Sequence, residues 1–224
     1  TLNERARGYK LFLEIMKWFV LKKGLISFSP AHVGAFLKSS PEIDLPDLQF
    51  VFTPASYTEG MIGKLQNIPG ITCGVWQSRP QSRGYVRALS NHIKDAPLIQ
   101  PNYLKETIDQ DVLIQGVKIC RDLLKTSNMK KISIKETLPG ENVKTDSEIL
   151  NFVKNNGATV YHAIGSCRMG IDKDAVVDAD LKLNGVENLR VADASIMPTM
   201  PSGNTNAATL MIAEKASDLI KKDM

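Results

Sequence analysis

Apolar residues at helical spacing mark both ends of the chain. Near the start, apolar positions recur three or four residues apart with charged side chains between them, which predicts a helix over residues 5–22. Gly24 is its predicted end, because glycine readily adopts the left-handed conformation that often follows a helix. An alanine-rich amphipathic stretch predicts a closing helix over residues 205–221. The apolar stripe of the first helix consists of Leu11, Ile15, Trp18 and Phe19.

Two further helices are predicted in the middle of the chain. Residues 106–126 carry the longest helical stripe, and Thr107 is a candidate start. Residues 145–155 begin with Thr145 and carry Glu148 three positions later, a spacing typical of a helix N-terminus. The stripe of the longer helix consists of Ile108, Val112, Leu113, Val117, Cys120 and Leu124.

Short runs rich in β-branched and aromatic residues predict strands between the helices. The polar connection at residues 77–83 contains Pro80 and suits an antiparallel pairing of the strands on either side of it. Residues 26–37 mix small and apolar side chains and are predicted to be irregular or partly extended. The predicted strands are residues 48–52, 71–76, 84–89, 97–101 (an edge strand) and 189–192 (a short buried strand).

Strands and helices that do not alternate strictly favour an α+β fold, with a mostly antiparallel sheet flanked by helices. The 224 residues are 43% hydrophobic and 23% charged, which excludes a disordered chain, a collagen-like repeat and a coiled coil. The formal net charge of +4 is spread along the chain, so no nucleic-acid partner is expected.

The three cysteines lie far apart and form no CxxC pair. We therefore expect no disulfide framework and a reducing compartment. The first residues show neither a membrane span nor the features of a signal peptide. No metal site is expected, because no pair of His, Cys or acidic residues has the spacing of metal ligands.

Candidate chemistry is concentrated in the last third of the chain. His162 lies among small residues, and its imidazole could either transfer a proton near neutral pH or simply bind its neighbours. Residues 202–206 open the last helix with polar side chains. Asn204, Thr205 or Asn206 could cap that helix, and its N-terminus could also stabilise a negatively charged ligand.

Other polar residues allow several interpretations. Asp193 precedes Ala194 after an apolar run, and could be a turn residue, a helix cap or a ligand of ribose hydroxyls. Cys167 has no base near it in sequence and is interpreted as a packing residue. His32 and His92 are expected to have structural or surface roles. Six aromatic residues are predicted to lie in the core rather than form a cation cage: Trp18, Phe50, Phe52, Tyr57, Trp76 and Tyr85.

Several segments, taken together and in order, resemble the glucose–methanol–choline (GMC) oxidoreductases, a family of flavoproteins that oxidise alcohols. The most specific segments are VADASIMP at residues 191–198 and SGNTNA at residues 202–207, preceded by YHAIGSCRMG at residues 161–170. These motifs are most similar to the choline dehydrogenase and aliphatic alcohol dehydrogenase branch. Shorter matches extend to the start of the chain, at residues 3–5, 46–50, 80–84 and 101–104.

The resemblance implies a role for each matched residue. His162 occupies the position of the active-site histidine, the base for the substrate hydroxyl. Asn204 occupies the position of the second active-site residue, which would bind the substrate oxygen. Asp193 and Ala194 match residues beside the phosphate–ribose portion of FAD. The turn that approaches the isoalloxazine ring is matched by Thr205, Asn206 and Ala207.

The resemblance also implies a domain division. Residues 1–160 would form a substrate-binding domain, and residues 161–224 would carry the catalytic motif and complete the flavin site. Glycines within residues 60–63, 70–74 and 165–170 do not reproduce the GxGxxG motif of a dinucleotide-binding unit. The chain is therefore expected to be the C-terminal portion of an FAD-dependent alcohol dehydrogenase of the choline dehydrogenase type.

In the whole enzyme, a primary alcohol would be oxidised to an aldehyde by proton abstraction and hydride transfer to flavin N5, and this portion alone would be inactive. The expected partners are an alcohol such as choline, the missing N-terminal flavin domain, and a second copy bound through the exposed flavin-domain face. Phe50 or Phe52 could offer an aromatic face to a trimethylammonium group.

The expected location is cytoplasmic, with peripheral attachment to an inner membrane as an option. The alternative is a non-catalytic binding or assembly module that retains the fold.

Overall fold

The computed structural model describes residues 1–29, 31–58 and 63–223. Two positions named in the sequence analysis lie outside the described residues. They are residue 30, in the segment predicted to be irregular or partly extended, and Gly60, in a glycine group tested for a dinucleotide motif. Contacts divide the chain into two compact units. The first unit contains residues 1–77 and 110–157, and the second contains residues 78–109 and 158–223. The functional division at residue 160 stays a prediction.

The first unit is built on a three-stranded antiparallel sheet in the order β1-β2-β3. The strands are β1 (Val33–Leu37), β2 (Leu48–Thr53) and β3 (Thr72–Gln77), and the latter two confirm their predictions. The segment predicted to be irregular or partly extended contains β1, which pairs with β2 along its whole length. Since β1 is mostly exposed on an edge, its sequence lacks the apolar alternation of a half-buried strand.

Helix α3 (Thr107–Leu124) confirms the longest predicted helix, and most of it belongs to the first unit. It packs on the sheet through a core of Leu48, Phe50, Val112 and Cys120. The approach is close at Gly116, where an added Cβ would lie 2.8 Å from a methyl group of Val75. The Cys120 thiol lies 3.7 Å from the carbonyl oxygen of Cys73, and the three cysteines of the chain are free.

The first predicted helix, residues 5–22, corresponds to α2 (Gly8–Leu21), and a separate short helix, α1 (Leu2–Arg5), precedes it. The prediction that Gly24 ends α2 is wrong. The chain turns earlier, at Lys22, which has a φ of 53° and donates its backbone N–H to the Trp18 carbonyl. Gly24 instead precedes a short 3-10 helix, Leu25–Ser27.

Helix α4 (Asp146–Asn156) confirms the prediction based on its capping signature. The Glu148 N–H donates to the Thr145 hydroxyl, and the Glu148 carboxylate accepts from the Thr145 N–H in return. This reciprocal pair satisfies two backbone donors that the helix itself leaves free.

In the second unit, β4 (Tyr85–Arg87) and β5 (Leu98–Gln100) form an antiparallel ribbon. The expected pairing of the strands on either side of residues 77–83 is wrong, because β3 pairs with β2 and β4 pairs with β5. Asp109 explains the different course of the chain. Its side chain, only 1% exposed, accepts hydrogen bonds from the backbone N–H groups of Gln81 and Ser82.

The rest of the second unit consists mainly of turns, followed by α5 (Asn206–Lys222), which confirms the predicted closing helix. The predicted strand at residues 189–192 is wrong. Arg190 makes only an isolated bridge to Lys182, because the neighbouring backbone groups bind turns around Leu181 and Leu183. The core of this unit consists of Val177, Leu181, Ile196, Met197, Ile212 and Ala216.

The predicted aromatic core is only partly observed. Phe50 is buried against α3, whereas Trp18, Phe52 and Trp76 are half-buried. The prediction is wrong for Tyr85, which is 40% exposed because a two-stranded ribbon covers at most one of its faces. The burial of Phe50 also makes it unsuitable as a wall of a cation cage.

Candidate active site

Two neighbouring polar side chains of the second unit, Asn204 and Thr205, meet at the imidazole of His162. The Asn204 amide nitrogen lies 3.0 Å from His162 Nε2. The Thr205 hydroxyl lies 3.1 Å from His162 Nδ1. His162 and Asn204, which are 42 residues apart in sequence, are therefore brought together as the resemblance implied.

The chemistry of these partners assigns the proton on the imidazole. An amide nitrogen is only a donor, so the Asn204 amide donates to Nε2 of His162 and this nitrogen carries no proton. In a neutral ring the other nitrogen, Nδ1, then carries the proton. Its N–H donates a hydrogen bond to the Thr205 hydroxyl oxygen. The basic lone pair of His162 is therefore the one on Nε2, which faces Asn204. Asn204 is exposed.

Thr205 has a role that the sequence interpretation missed. It is the N-cap residue of α5 and is buried, but within the described part of the chain its side chain makes no capping hydrogen bond. Its hydroxyl instead binds His162. The expectation that this side chain caps the helix is thus wrong, and the first-turn N–H groups of α5 receive no hydrogen bond from it.

The segment that carries His162 is attached to the core by backbone hydrogen bonds. The Cys167 N–H donates to the Ser195 carbonyl at 3.0 Å, and the Met169 N–H donates to the Ile196 carbonyl at 2.8 Å. Gly165 has a φ of +80°, and an added Cβ would lie 3.3 Å from the Met197 carbonyl oxygen. The small residues of this motif therefore permit a close approach of two backbones.

Asp193 caps the 3-10 helix Ala194–Ile196, because its carboxylate accepts the Ser195 N–H at 2.8 Å. Hydrogen bonds from Ser195 hold the pKa of the Asp193 carboxyl below its usual range. The cap interpretation is therefore confirmed, although one exposed carboxylate can also face a ligand. Ala194 is half-buried, and Asn206 and Ala207 lie exposed in the first turn of α5.

A further contact in the second unit has no sequence signal. The Arg79 guanidinium donates to the Ser202 hydroxyl, two residues before Asn204. The two residues are 123 positions apart, and no periodicity or spacing relates them. Thr205, by contrast, could have been suspected from its position directly after Asn204.

The other two histidines have exposed positions with partners of their own, and Cys167 is partly covered. His92 is exposed beside Asp95, and His32 is exposed with its ring 5.3 Å from that of Phe28. Cys167 is half-buried and free. Among the described residues, no group of three His, Cys, Asp or Glu side chains could hold a metal ion.

Comparison with known proteins points to one family. The model of the family described as GMC oxidoreductase matches residues 80–213, which is more than half of the chain. An alcohol dehydrogenase [acceptor] from Pseudomonas putida is 41% identical over 212 residues, covering 94% of this chain and 38% of that protein. Human mitochondrial choline dehydrogenase is 38% identical over 224 residues, covering 99% of this chain and 37% of that protein. The chain thus spans about two fifths of the length of the curated relatives that it matches.

Solved structures support the same fold. A pyridoxine 4-oxidase from Mesorbium loti matches with a TM-score of 0.76 and 28% identity, covering 84% of this chain and 37% of that chain. A formate oxidase variant from Aspergillus oryzae matches with a TM-score of 0.83 and 21% identity, covering 99% of this chain and 44% of that chain. The second likeness concerns the fold alone.

Proposed function

The chain belongs to the GMC oxidoreductase family, and from this membership we propose that it is the C-terminal part of an FAD-dependent dehydrogenase that oxidises a primary alcohol to an aldehyde. The observation that carries the proposal is the His162 imidazole with Asn204 on one nitrogen and Thr205 on the other. The similarity to choline and alcohol dehydrogenases supports choline or an aliphatic alcohol as the substrate.

His162 is the proposed base for the substrate hydroxyl. A general base must have a free lone pair within hydrogen-bond reach of the proton that it removes. The Asn204 donor favours the tautomer in which Nε2 carries the lone pair, and the alcohol hydroxyl would take the place of the Asn204 N–H on that nitrogen. The Thr205 hydroxyl oxygen then fixes the ring by accepting a hydrogen bond from Nδ1–H. The same hydrogen bond stabilises the charged imidazole after the substrate proton has moved to Nε2.

Asn204 is the proposed binder of the substrate oxygen. When the alcohol hydroxyl binds His162 Nε2, the Asn204 N–H that occupied this nitrogen can donate to the alcohol oxygen instead. As the hydroxyl loses its proton, negative charge develops on the oxygen, and a fixed donor stabilises that charge more than it stabilises the neutral alcohol. The same side chain therefore orients the substrate and lowers the barrier.

The residues around α5 fit an FAD partner. The diversion of the Thr205 hydroxyl to His162 leaves the first turn of the helix available to an acceptor on a ligand, at the positive end of the helix dipole. Asn206 and Ala207 would hold this part of the cofactor, and Asp193 and Ala194 would lie beside its phosphate–ribose portion. When bound, FAD supplies the hydride acceptor for the carbon of the alcohol.

The proposal is tested by joining the chain to the upstream portion of the Pseudomonas putida relative and measuring alcohol-dependent dye reduction. His162→Gln should lower kcat/KM by about 10²–10⁴-fold, because a positioned base contributes about this much. His92→Gln, an exposed histidine outside the cluster, is the matched control and should retain full activity.

Near-normal turnover in the His162→Gln variant, with FAD bound, would show that another group takes the proton. A joined protein that binds FAD and oxidises neither choline nor any aliphatic alcohol would favour the alternative, a binding or assembly module without redox chemistry.

A further inference from the structure

Arg79 of the second unit reaches the segment that carries Asn204. Its guanidinium donates to the hydroxyl of Ser202, two residues before Asn204. Ser202 and Asn204 lie before the first residue of α5, in a stretch of bends, so the hydrogen bonds of the helix do not fix them. The position of the Asn204 amide at His162 therefore depends on contacts from outside the helix.

The residues on either side of Ser202 limit the support that its own backbone can give. Pro201 has no N–H to donate. Gly203 has no side chain, and glycine loses more conformational freedom on folding than any other residue. A contact to the side chain between them therefore restrains this stretch at the point where its backbone restrains itself least.

Arg79 belongs to a segment that is firmly held. The backbone N–H groups of Gln81 and Ser82 donate to the Asp109 carboxylate at 2.8 and 2.7 Å. Asp109 is only 1% exposed. The side-chain amide of Gln81 donates to the Arg79 carbonyl oxygen at 3.2 Å, and Pro80 between them has its φ fixed by its ring. A half-buried arginine on such a segment offers a fixed point of attachment.

The chemistry of the guanidinium suits this contact. The group is planar and always charged, and it presents its N–H donors in a rigid fork, so a hydrogen bond from it restricts both distance and direction. A hydrogen bond from a charged donor is also stronger than one between neutral groups. The Arg79 side chain can therefore retain the hydroxyl of Ser202, although this residue is exposed and water competes for it.

We propose that Arg79 is a positioning residue, which through Ser202 holds the Asn204 amide at Nε2 of His162. The inference rests on the proposed function, in which Asn204 stabilises the oxygen of the alcohol as it loses its proton. A donor that is already in place needs no reorganisation during the reaction, and it stabilises the transition state more than the bound alcohol. Loss of Arg79 should therefore lower kcat and leave KM nearly unchanged.

The proposal is tested by alcohol-dependent dye reduction in the chain joined to the upstream portion of the Pseudomonas putida relative. Arg79→Met keeps an apolar stem and removes the guanidinium. It should lower kcat by about 10–10²-fold, the cost of a displacement of about 1 Å. Ser202→Ala should give a similar loss. The double variant should lose no more than Arg79→Met alone, because both residues act through one contact.

Two matched controls should retain the kcat of the parent. Ser202→Thr keeps the hydroxyl that accepts from Arg79. Arg87→Met removes an exposed arginine on β4, whose guanidinium lies 4.5 Å from the centre of the Tyr85 ring. Far-UV circular dichroism and the urea midpoint establish that each variant is folded.

A spectroscopic measurement separates positioning from a purely structural role. An unprotonated imidazole nitrogen changes its ¹⁵N chemical shift when it loses a hydrogen-bond donor. In the 224-residue chain, the Nε2 signal of His162 should therefore move towards that of an unbonded nitrogen in Arg79→Met and in Ser202→Ala. It should stay in place in the two controls.

An unchanged kcat or an unchanged Nε2 signal in Arg79→Met would overturn the proposal, even if the urea midpoint falls, because the contact would then serve stability alone. If Arg79→Met does not fold, the same two measurements on Ser202→Ala decide, since Ser202 is exposed. No alcohol turnover in the joined parent would refute the proposed function, whereas the Nε2 signal would still test Arg79. Turnover in the parent that His162→Gln abolishes and Arg79→Met leaves intact would refute the positioning role alone.

Discussion

Thr205 supports the tautomer of His162 that the Asn204 donor assigns. Its hydroxyl is the partner of Nδ1, so Thr205→Val should remove the acceptor and raise the fraction of the tautomer protonated on Nε2. The measurement is the ¹⁵N spectrum of the imidazoles in the 224-residue chain, where only three histidines contribute. The parent should show an unprotonated Nε2 for His162 at high pH, and the variant should show a partly protonated one.

Thr205→Ser keeps the hydroxyl and serves as the control, since it should retain the tautomer of the parent. An unchanged tautomer in Thr205→Val would mean that the Asn204 donor alone fixes the ring. This readout requires neither FAD nor an alcohol, so it examines the positioning of the base separately from its use.

The sequence could not reveal this arrangement by residue-level reasoning. His162 alone allowed a structural role, and the polar residues before α5 allowed three different caps. The resemblance paired His162 with Asn204, and the structure brings them within 3.0 Å. The resemblance assigned Thr205 to the cofactor turn and missed its contact with a histidine 43 positions earlier, although its position directly after Asn204 already pointed to the site.

At the scale of an element, the capping box of α4 predicts a dependence of stability on pH. Hydrogen bonds from the backbone N–H groups of Thr145 and Lys144 hold the pKa of the Glu148 carboxyl below its usual range. A lowered folded pKa stabilises the protein above the unfolded value, about 4.3, and this stabilisation is lost as the pH falls through the folded value. Glu148→Gln should therefore lower the urea midpoint at pH 7, and its difference from the parent should shrink as the pH falls below about 4.3.

Glu141→Gln, an exposed acid outside α4, is the matched control and should show no comparable difference. A constant difference between Glu148→Gln and the parent across this pH range would show that shape, rather than the carboxylate charge, determines the cap. Thr145→Ala should cost about 1 kcal/mol at neutral pH, because the Glu148 N–H loses its acceptor.

The packing of α3 on the sheet predicts a penalty for added volume. A Cβ at Gly116 would lie 2.8 Å from Val75 and 3.2 Å from Leu48, both short branched side chains of the core. Gly116→Ala gains helix propensity of about 1 kcal/mol, but overpacking costs about 1–3 kcal/mol, so the urea midpoint should fall. Gly74→Ala is the matched control, because its nearest neighbour would be 3.7 Å away, and a rise in the midpoint of Gly116→Ala would show that the sheet relaxes easily.

Elements with strong local signals were predictable, whereas their ends and pairings were less so. The capping pair of α4 and the stripe of α3 depend on residues within a few turns, and both helices are confirmed. The end of α2 depends on Lys22 adopting a left-handed conformation that residue type does not favour. Edge strand β1 could not be distinguished from irregular chain, since its side chains remain largely exposed.

At the scale of the whole molecule, contacts remote in sequence decide what local patterns cannot. Residues 78–109 belong with the C-terminal third, and buried Asp109 holds Gln81 and Ser82 there across 27–28 positions. The apparent hairpin between β3 and β4 fails for this reason, although both strands exist. The α+β class was nevertheless predictable, because it requires only the number and type of elements.

The distribution of cofactor residues predicts that the chain alone does not retain FAD. The five assigned residues lie within residues 193–207, and Asp193, Asn206 and Ala207 are exposed. The sequence contains no GxGxxG turn, the element that brings backbone N–H groups and a helix N-terminus to a cofactor diphosphate.

After incubation with FAD and gel filtration, the 224-residue chain should therefore elute without the visible flavin band. The same chain joined to the upstream portion of the Pseudomonas putida relative should elute with it, and Asp193→Ala should weaken that retention. A flavin band that co-elutes with the chain alone would mean that residues 193–207 and their neighbours hold the cofactor without a diphosphate-binding turn, and the alcohol assays could then begin with this chain.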